Sequence, residues 1–152
     1  MHGERETMRV SIAADHAGFE EKELLKPYLE ELGHEVIDRG PSSDDRVDYP
    51  DFAALVVEDV ASGVADRGVL VCGTGIGMAV AANKVHGIRA ANVTSAQFAQ
   101  LAREHNDANV VTVSGRFVSD QENRAIVKAF LETEFAGGRH TGRVAEIMAL
   151  EQ

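Results

Sequence analysis

The residues best suited to chemistry begin with the single cysteine of the chain. Cys72 opens the run Cys72-Gly73-Thr74-Gly75-Ile76-Gly77, between an apolar stretch, Val69 to Val71, and a small-residue helical pattern through Ala82. Where a strand feeds a Gly-rich turn and then a helix, backbone N–H groups can point at an anion. Glycine also lets the backbone approach a ligand with no Cβ in the way. A thiol at such a junction is biased toward thiolate by the helix dipole and the free N–H groups. The same residues fit a plainer account, a buried cysteine acting as a small hydrophobe beside an ordinary turn. Nucleotide motifs fail here. No Gly-Lys pair follows, as a Walker A loop needs, and Val80 stands where a dinucleotide fingerprint needs its third glycine.

Three other groups carry reactive side chains. Asp15-His16 follows the first strand and offers a carboxylate and an imidazole; alternatively Asp15 caps the next helix beside a solvated histidine. His105-Asn106-Asp107 closes a helix before the fifth strand, where a C-cap with Asn106 in the left-handed region is the competing account. Arg139-His140-Thr141-Gly142-Arg143 brings two guanidiniums together, and such pairs hold phosphate bidentately, although exposed arginines are commonly just solvated. His2, His34 and His86 are assigned to surface or packing. No His-x-x-x-His pair occurs and one cysteine makes no zinc knuckle, so no metal is expected.

The elements that must position these groups alternate. Strands are expected over Met8–Ala14, His34–Asp38, Val69–Val71, Gly87–Asn92 and Asn109–Ser114. The first helix carries Phe19, Leu24, Leu25, Tyr28, Leu29 and Leu32 as its apolar stripe. Pro27 inside it predicts a kink, and Gly33 ends it. Arg39 to Tyr49 is a polar loop long enough to serve a site. Pro50 suits the first turn of the next helix, whose stripe is Phe52, Leu55, Val56, Val60 and Ala61. Thr94 to Gln97 and Ser119 to Glu122 have capping-box spacing, the second opening a helix to about Phe135. Gly137-Gly138 breaks that helix, and Thr141 caps a last amphipathic one with Val144, Ile147, Met148 and Leu150.

Strand–helix alternation throughout means right-handed βαβ units and a parallel sheet. Ligands then sit beyond the carboxyl ends of the strands, which places Asp15-His16 and the Cys72 loop on one edge. At 152 residues, 44% hydrophobic and 26% charged, the chain suits one domain with a real core. A net charge of -10 argues against nucleic acid or anionic membrane as a partner, so an anionic substrate needs a local basic site. One cysteine fits a reducing cytoplasm, and no run reads as a membrane helix. Residues 1–7 read as a disordered polar extension rather than a signal peptide, and 8–152 as the domain.

Seven motifs then agree in order: Asp15-His16-Ala17-Gly18-Phe19, Asp48-Tyr49-Pro50, Cys72 to Gly77, Ala82-Asn83-Lys84, Gly87-Ile88-Arg89-Ala90, His105-Asn106-Asp107 and Gly137-Gly138-Arg139-His140. Together they resemble the type B ribose-5-phosphate isomerases, which share a family with galactose-6-phosphate isomerase subunits. The likeness runs from Met8 to Gln152.

The resemblance implies a Rossmann-like three-layer α/β/α sandwich around a parallel sheet of about five strands. It implies a homodimer, or a dimer of dimers, in which the C-terminal helix packs on the partner and the active site is shared. The activity implied is interconversion of aldose and ketose phosphates without metal or cofactor, in the pentose phosphate pathway. By resemblance Cys72 is the base at C2, with Thr74 beside it and the backbone of Gly73, Thr74, Gly75, Ile76 and Gly77 holding the enediolate oxygen. Relatives with Ser at the position of Cys72 use a Glu on the loop, and Ile76 stands in its place here. His105 helps open the sugar ring, with Asp15 near the same hydroxyls. Asp15, His16, Tyr49 and Asn106 match substrate contacts, and Arg116, Arg139 and Arg143 match phosphate contacts. His105 and Asn106 are expected to come from the other subunit.

Two further readings stay open. A six-carbon substrate, allose or galactose 6-phosphate, keeps the fold; His105 favours the pentose, because galactose-6-phosphate relatives tend to lack it. A Rossmann-like binding module, with Cys72 sensing redox state or only packing, is the alternative of another class.

Overall fold

The computed structural model describes residues 6–151, so most of the expected N-terminal extension, residues 1–5, lies outside the described residues. The strands β1 (Arg9–Ala14), β2 (Glu35–Asp38), β3 (Arg67–Cys72), β4 (Ala90–Asn92) and β5 (Val110–Ser114) form one sheet in the order β2-β1-β3-β5-β4. All pairings are parallel. Helices α1 (Phe19–Glu31), α2 (Tyr49–Ser62), α3 (Ile76–Ala82), α4 (Ala96–Asn106), α5 (Asp120–Glu132) and α6 (Arg139–Ala149) fill the intervals.

The period of two along each strand sorts the core into two layers. On β3, Val69 and Val71 face Leu25 and Leu29 of α1, Ala99 and Ala102 of α4, and Ile126, Val127 and Phe130 of α5. Leu70 and Cys72 face the other way, toward Ala53, Val56 and Val57 of α2 and Met78 and Ala82 of α3. Each fully buried aliphatic or aromatic side chain contributes about 1.5–3 kcal/mol. These layers make the three-layer α/β/α sandwich. Helix α6 stands apart from them, with no buried residue and with Ile147 and Leu150 exposed. No helix of the described residues is long and apolar enough to cross a membrane.

Several boundaries depart from the sequence pattern for local reasons. Strand β4 begins at Ala90 rather than Gly87, because the Asn109 side chain takes the place of a strand there. Its Oδ1 accepts from Arg89 N at 2.8 Å and its Nδ2 donates to Gly87 O at 2.9 Å. Ser95, not Thr94, caps α4, accepting from Phe98 N at 3.2 Å. Ser119 caps α5 as its spacing predicts. That helix stops at Glu132, where Thr133 turns extended and Ala136 N bonds to Glu104 O instead. Helix α6 starts at Arg139, since the left-handed turn through Gly137 and Gly138 leads straight into it and puts Thr141 in the first turn. Asp107, not Asn106, holds the left-handed position after α4, at φ 49°. Pro27 lies inside α1, which continues to Glu31.

Candidate active site

Strand β3 lies between β1 and β5, and its following helix packs on the opposite face from α1 and α5. Loops that part in this way open a crevice beyond the strand ends, the usual ligand position in parallel sheets. The Cys72 loop lines it. Cys72 closes β3 opposite Ser114 of β5, is 5 % exposed, and its Sγ accepts from Gly75 N at 3.1 Å. That N–H is a donor aimed directly at the sulfur.

The loop is anchored through its carbonyls. Ser114 Oγ donates to Gly73 O at 2.7 Å, Asn92 Nδ2 to Thr74 O at 3.3 Å, and Thr112 Oγ1 to Gly75 O at 2.8 Å. Thr74 Oγ1 accepts from Ile76 N at 3.1 Å. These bonds tie the loop to the sheet through its carbonyls. Gly75 is required by the loop, and Gly77 leaves room for the tip of Tyr49. Gly75 holds φ +86°, and any Cβ there would collide with the Asn92 amide; a Cβ on Gly77 would stand 2.7 Å from the Tyr49 ring.

Four more expected residues gather at this edge. Tyr49, the first residue of α2, lies over Gly77. The Arg116 guanidinium lies beside Gly73, 3.4 Å from where a Cβ would be, and Arg116 N donates to Gly73 O at 3.2 Å. Asp15 is buried, and its Oδ1 accepts from Gly18 N at 2.9 Å, which ties it to the turn just before α1, a helix whose N-cap has no side-chain hydrogen bond. His16 Nδ1 accepts from Val47 N at 3.4 Å, which ties the polar loop after β2 to the same edge. Among the described residues no group of three or more His, Cys, Asp or Glu side chains is placed to hold a metal ion.

The remaining four lie elsewhere. His105 and Asn106 end α4, and Arg139 and Arg143 lie on the first turns of α6. The ends are joined by His140, whose ring stacks on His105 with centroids 4.3 Å apart. This cluster sits at the opposite edge of the sheet. Arg67, at the start of β3, feels the charges of Arg103 and Asp107 at the end of α4, whereas Cys72 ends that strand. At ~3.3 Å per residue, the strand separates the two clusters by roughly 15 Å.

The family described as Ribose/Galactose Isomerase matches residues 10–147. The chain belongs to that family. Its relatives include the probable ribose-5-phosphate isomerase B of Mycoplasma pneumoniae, 46% identical over 144 residues that cover 94% of this chain and 95% of that one. The ribose-5-phosphate isomerase B of Clostridium thermocellum has a solved structure that superposes with a TM-score of 0.93 at 46% identity, covering 95% of this chain and 97% of that one. The Mycoplasma genitalium ribose-5-phosphate isomerase B was solved with bound ribulose-5-phosphate; its TM-score is 0.90 at 46% identity, over 94% and 95% of the two chains.

In this member of the ribose/galactose isomerase family, four residues that sequence reasoning left out support the two clusters: Asn92, Thr112, Ser114 and His140. A signal existed for two of them. Thr112 and Ser114 interrupt an apolar fifth strand at positions sharing one face, and buried polar groups of that kind need partners. His140 lies inside the Arg139–Arg143 run, but nothing in the sequence pairs it with His105.

Proposed function

We propose that this protein interconverts D-ribose 5-phosphate and D-ribulose 5-phosphate, with Cys72 as the base. The observation that carries the reading is Cys72 Sγ held under the Gly75 N–H, in a loop flanked by Arg116. The relative solved with ribulose-5-phosphate supports the choice of substrate.

The chemistry needs one returning base and one oxyanion site. In the open-chain aldose the C1 carbonyl makes the C2 proton acidic. The Cys72 thiolate takes that proton, the electron pair forms the C1–C2 double bond, and negative charge collects on O1. Backbone N–H groups of Gly73 to Gly77 stabilise that charge, the kind of contribution that is usually largest in catalysis. The proton returns at C1 while the O2 proton passes to O1, which leaves the C2 ketone. Nothing is consumed. Asp15, His16 and Tyr49 contact the sugar, and Arg116 holds the phosphate in an otherwise acidic protein.

The second cluster enters from another copy. In this reading two chains pair so that His105, Asn106, Arg139 and Arg143 of one complete the Cys72 crevice of the other, His105 opening the ring and the arginines closing on the phosphate. The unburied α6, with Ile147 and Leu150, and the exposed Ile76 and Val80 of α3 supply apolar surface for that pairing. Residues 8–152 act as one domain, in the cytoplasm, within the pentose phosphate pathway.

Cys72→Ala tests the assignment. The variant should fold normally by circular dichroism and lose isomerisation by about two to four orders of magnitude, the range of a general base. Cys72→Ser should also be poor, since Ile76 offers no carboxylate in its stead. Near-normal turnover in folded Cys72→Ala would remove the thiol from the mechanism. A panel including allose 6-phosphate and galactose 6-phosphate, with either preferred over ribose 5-phosphate, would move the substrate to six carbons.

A further inference from the structure

Where α1 packs on the start of α5, three buried oxygens meet with no donor among them. Glu21 is 7 % exposed and Asn123 is fully buried. Glu21 Oε2, Asp120 Oδ1 and Asn123 Oδ1 are buried and have no hydrogen-bond partner. Both Asp120 and Asn123 lie within hydrogen-bonding reach of Glu21. The other ends of Asp120 and Asn123 are taken. Arg124 Nε donates to Asp120 Oδ2 at 2.8 Å, and Asn123 Nδ2 donates to Ser114 O at 2.9 Å, which fixes the orientation of the amide.

Two ionised carboxylates here would place like charges side by side, that of Glu21 buried, and leave both orphan oxygens without a donor. A single proton cures both faults. Placed on Glu21 Oε2 it donates to Asp120 Oδ1. We infer that Glu21 and Asp120 share one proton, and that this acid–carboxylate pair is a pH-sensitive clasp between α1 and α5. A metal cation fits less well, because a hard cation asks for six or more oxygens and this place offers three.

The charges around the pair are few. From α5, Asp120 and Arg124 face Glu21. On its own helix Lys22 turns away to Asp38, at the end of β2, and to Glu23. Strands β1 and β3 beneath α1 contribute Val10, Ile12, Val69 and Val71. Burial first, and then the hydrogen bond and charge of Asp120, push the Glu21 pKa up to about 7, against the opposing pull of Asn123 and Arg124. An acid whose folded pKa is raised holds its proton more tightly in the folded chain. The contribution is therefore complete below the unfolded value near 4.5 and is lost as pH rises through about 7. Between pH 6 and pH 8 that linkage raises the unfolding constant by roughly tenfold.

The test uses the full-length protein. Carboxyl-carbon NMR should show Glu21 titrating near neutrality, and Asp120→Asn should bring that midpoint down toward the ordinary range. Denaturant melts should weaken from pH 6 to pH 8 in the wild type. Glu21→Gln, whose amide donates to Asp120 at every pH, should abolish the roughly tenfold change. A wild-type Glu21 that titrates near 4.5, or an equal pH slope in Glu21→Gln, would overturn the clasp. So would stability that ignores pH but rises with added sodium, potassium or calcium chloride, since a cation would then fill the oxygens. If Glu21→Gln does not fold, the wild-type NMR titration alone decides.

Discussion

The imidazole of His140 lies flat against that of His105, with ring centroids 4.3 Å apart and planes 17° from parallel. The stack joins the end of α4 to the first turn of α6 and so gathers His105, Asn106, Arg139 and Arg143 into one cluster. A second copy that presents one of them to a Cys72 crevice presents them all. The stack also sets the charge on His140. Partial loss of hydration, and then the positive charges of His105, Arg139 and Arg143, hold its pKa below the ordinary imidazole value of 6.5.

Removing His105 should reverse both effects. In His105→Ala the His140 ring regains water and loses a cationic neighbour, so its midpoint rises toward 6.5. Two-dimensional NMR of the histidine Cε1–Hε1 signals follows this directly. A His140 midpoint that stays put would mean the rings do not stack in solution.

A buried lysine makes the second prediction. Lys22 has no exposed side-chain surface, and its Nζ donates to Asp38 Oδ1 at 2.9 Å and to Glu23 Oε2 at 2.8 Å. Burial pushes the Asp38 carboxyl up, but hydrogen bonds from Lys26, Lys22 and the Gly40 N–H outweigh it and hold the pKa below 3.8. A depressed carboxylate contributes stability that is present above its unfolded pKa and lost as pH falls through the folded one. Asp38→Asn should therefore flatten the acid limb of the stability curve below pH 4. At neutral pH it leaves Glu23 as the one charged partner of Lys22. Breaking one partner of a fully buried pair costs about 3–5 kcal/mol; with Asp38 32% and Glu23 40% exposed the cost here falls below that range, at about 2 kcal/mol. Urea melts showing a loss under about 1 kcal/mol would contradict this account of Lys22.

Local structure was legible in the sequence, and pairing between distant elements was not. The Cys72 loop could be read because glycines at close spacing after an apolar run admit few backbone paths. Strand and helix order followed from periodicity, and the Ser119 cap from its spacing to Glu122. The stripe of α1 was misread in part. Leu24, placed on the apolar face, is 47% exposed, whereas Glu21 and Lys22 are buried. Both are polar residues whose partners, Asp120 and Asp38, lie on other elements, so helical periodicity alone assigns them to solvent. The carbonyl anchors Thr112 and Ser114 likewise acquire their role only when β5 pairs with β3. The same holds for His140, which meets His105 only after α6 folds back along α4.

The proposed two-copy site is open to a test by complementation. A furanose must open before its C2 proton becomes acidic, so ring opening and proton transfer are separable. With His105 serving the first step, His105→Ala should impair turnover of ribose 5-phosphate while leaving proton exchange from ribulose 5-phosphate, which cannot close to a furanose, largely intact. Cys72→Ala should abolish both. Now let Cys72→Ala and His105→Ala subunits be mixed and allowed to re-pair. If each crevice takes Cys72 from one chain and His105 from the other, a heterodimer has one site with both lesions and one with neither. Each heterodimer should then recover up to about half the wild-type activity on ribose 5-phosphate, provided the sites are independent. Native mass spectrometry counts the heterodimers. The roughly 15 Å between the two clusters within one chain, estimated from the strand rise, is the reason to expect recovery. Heterodimers present but inactive would mean that a single chain must supply both residues, and the two-copy site would have to be abandoned.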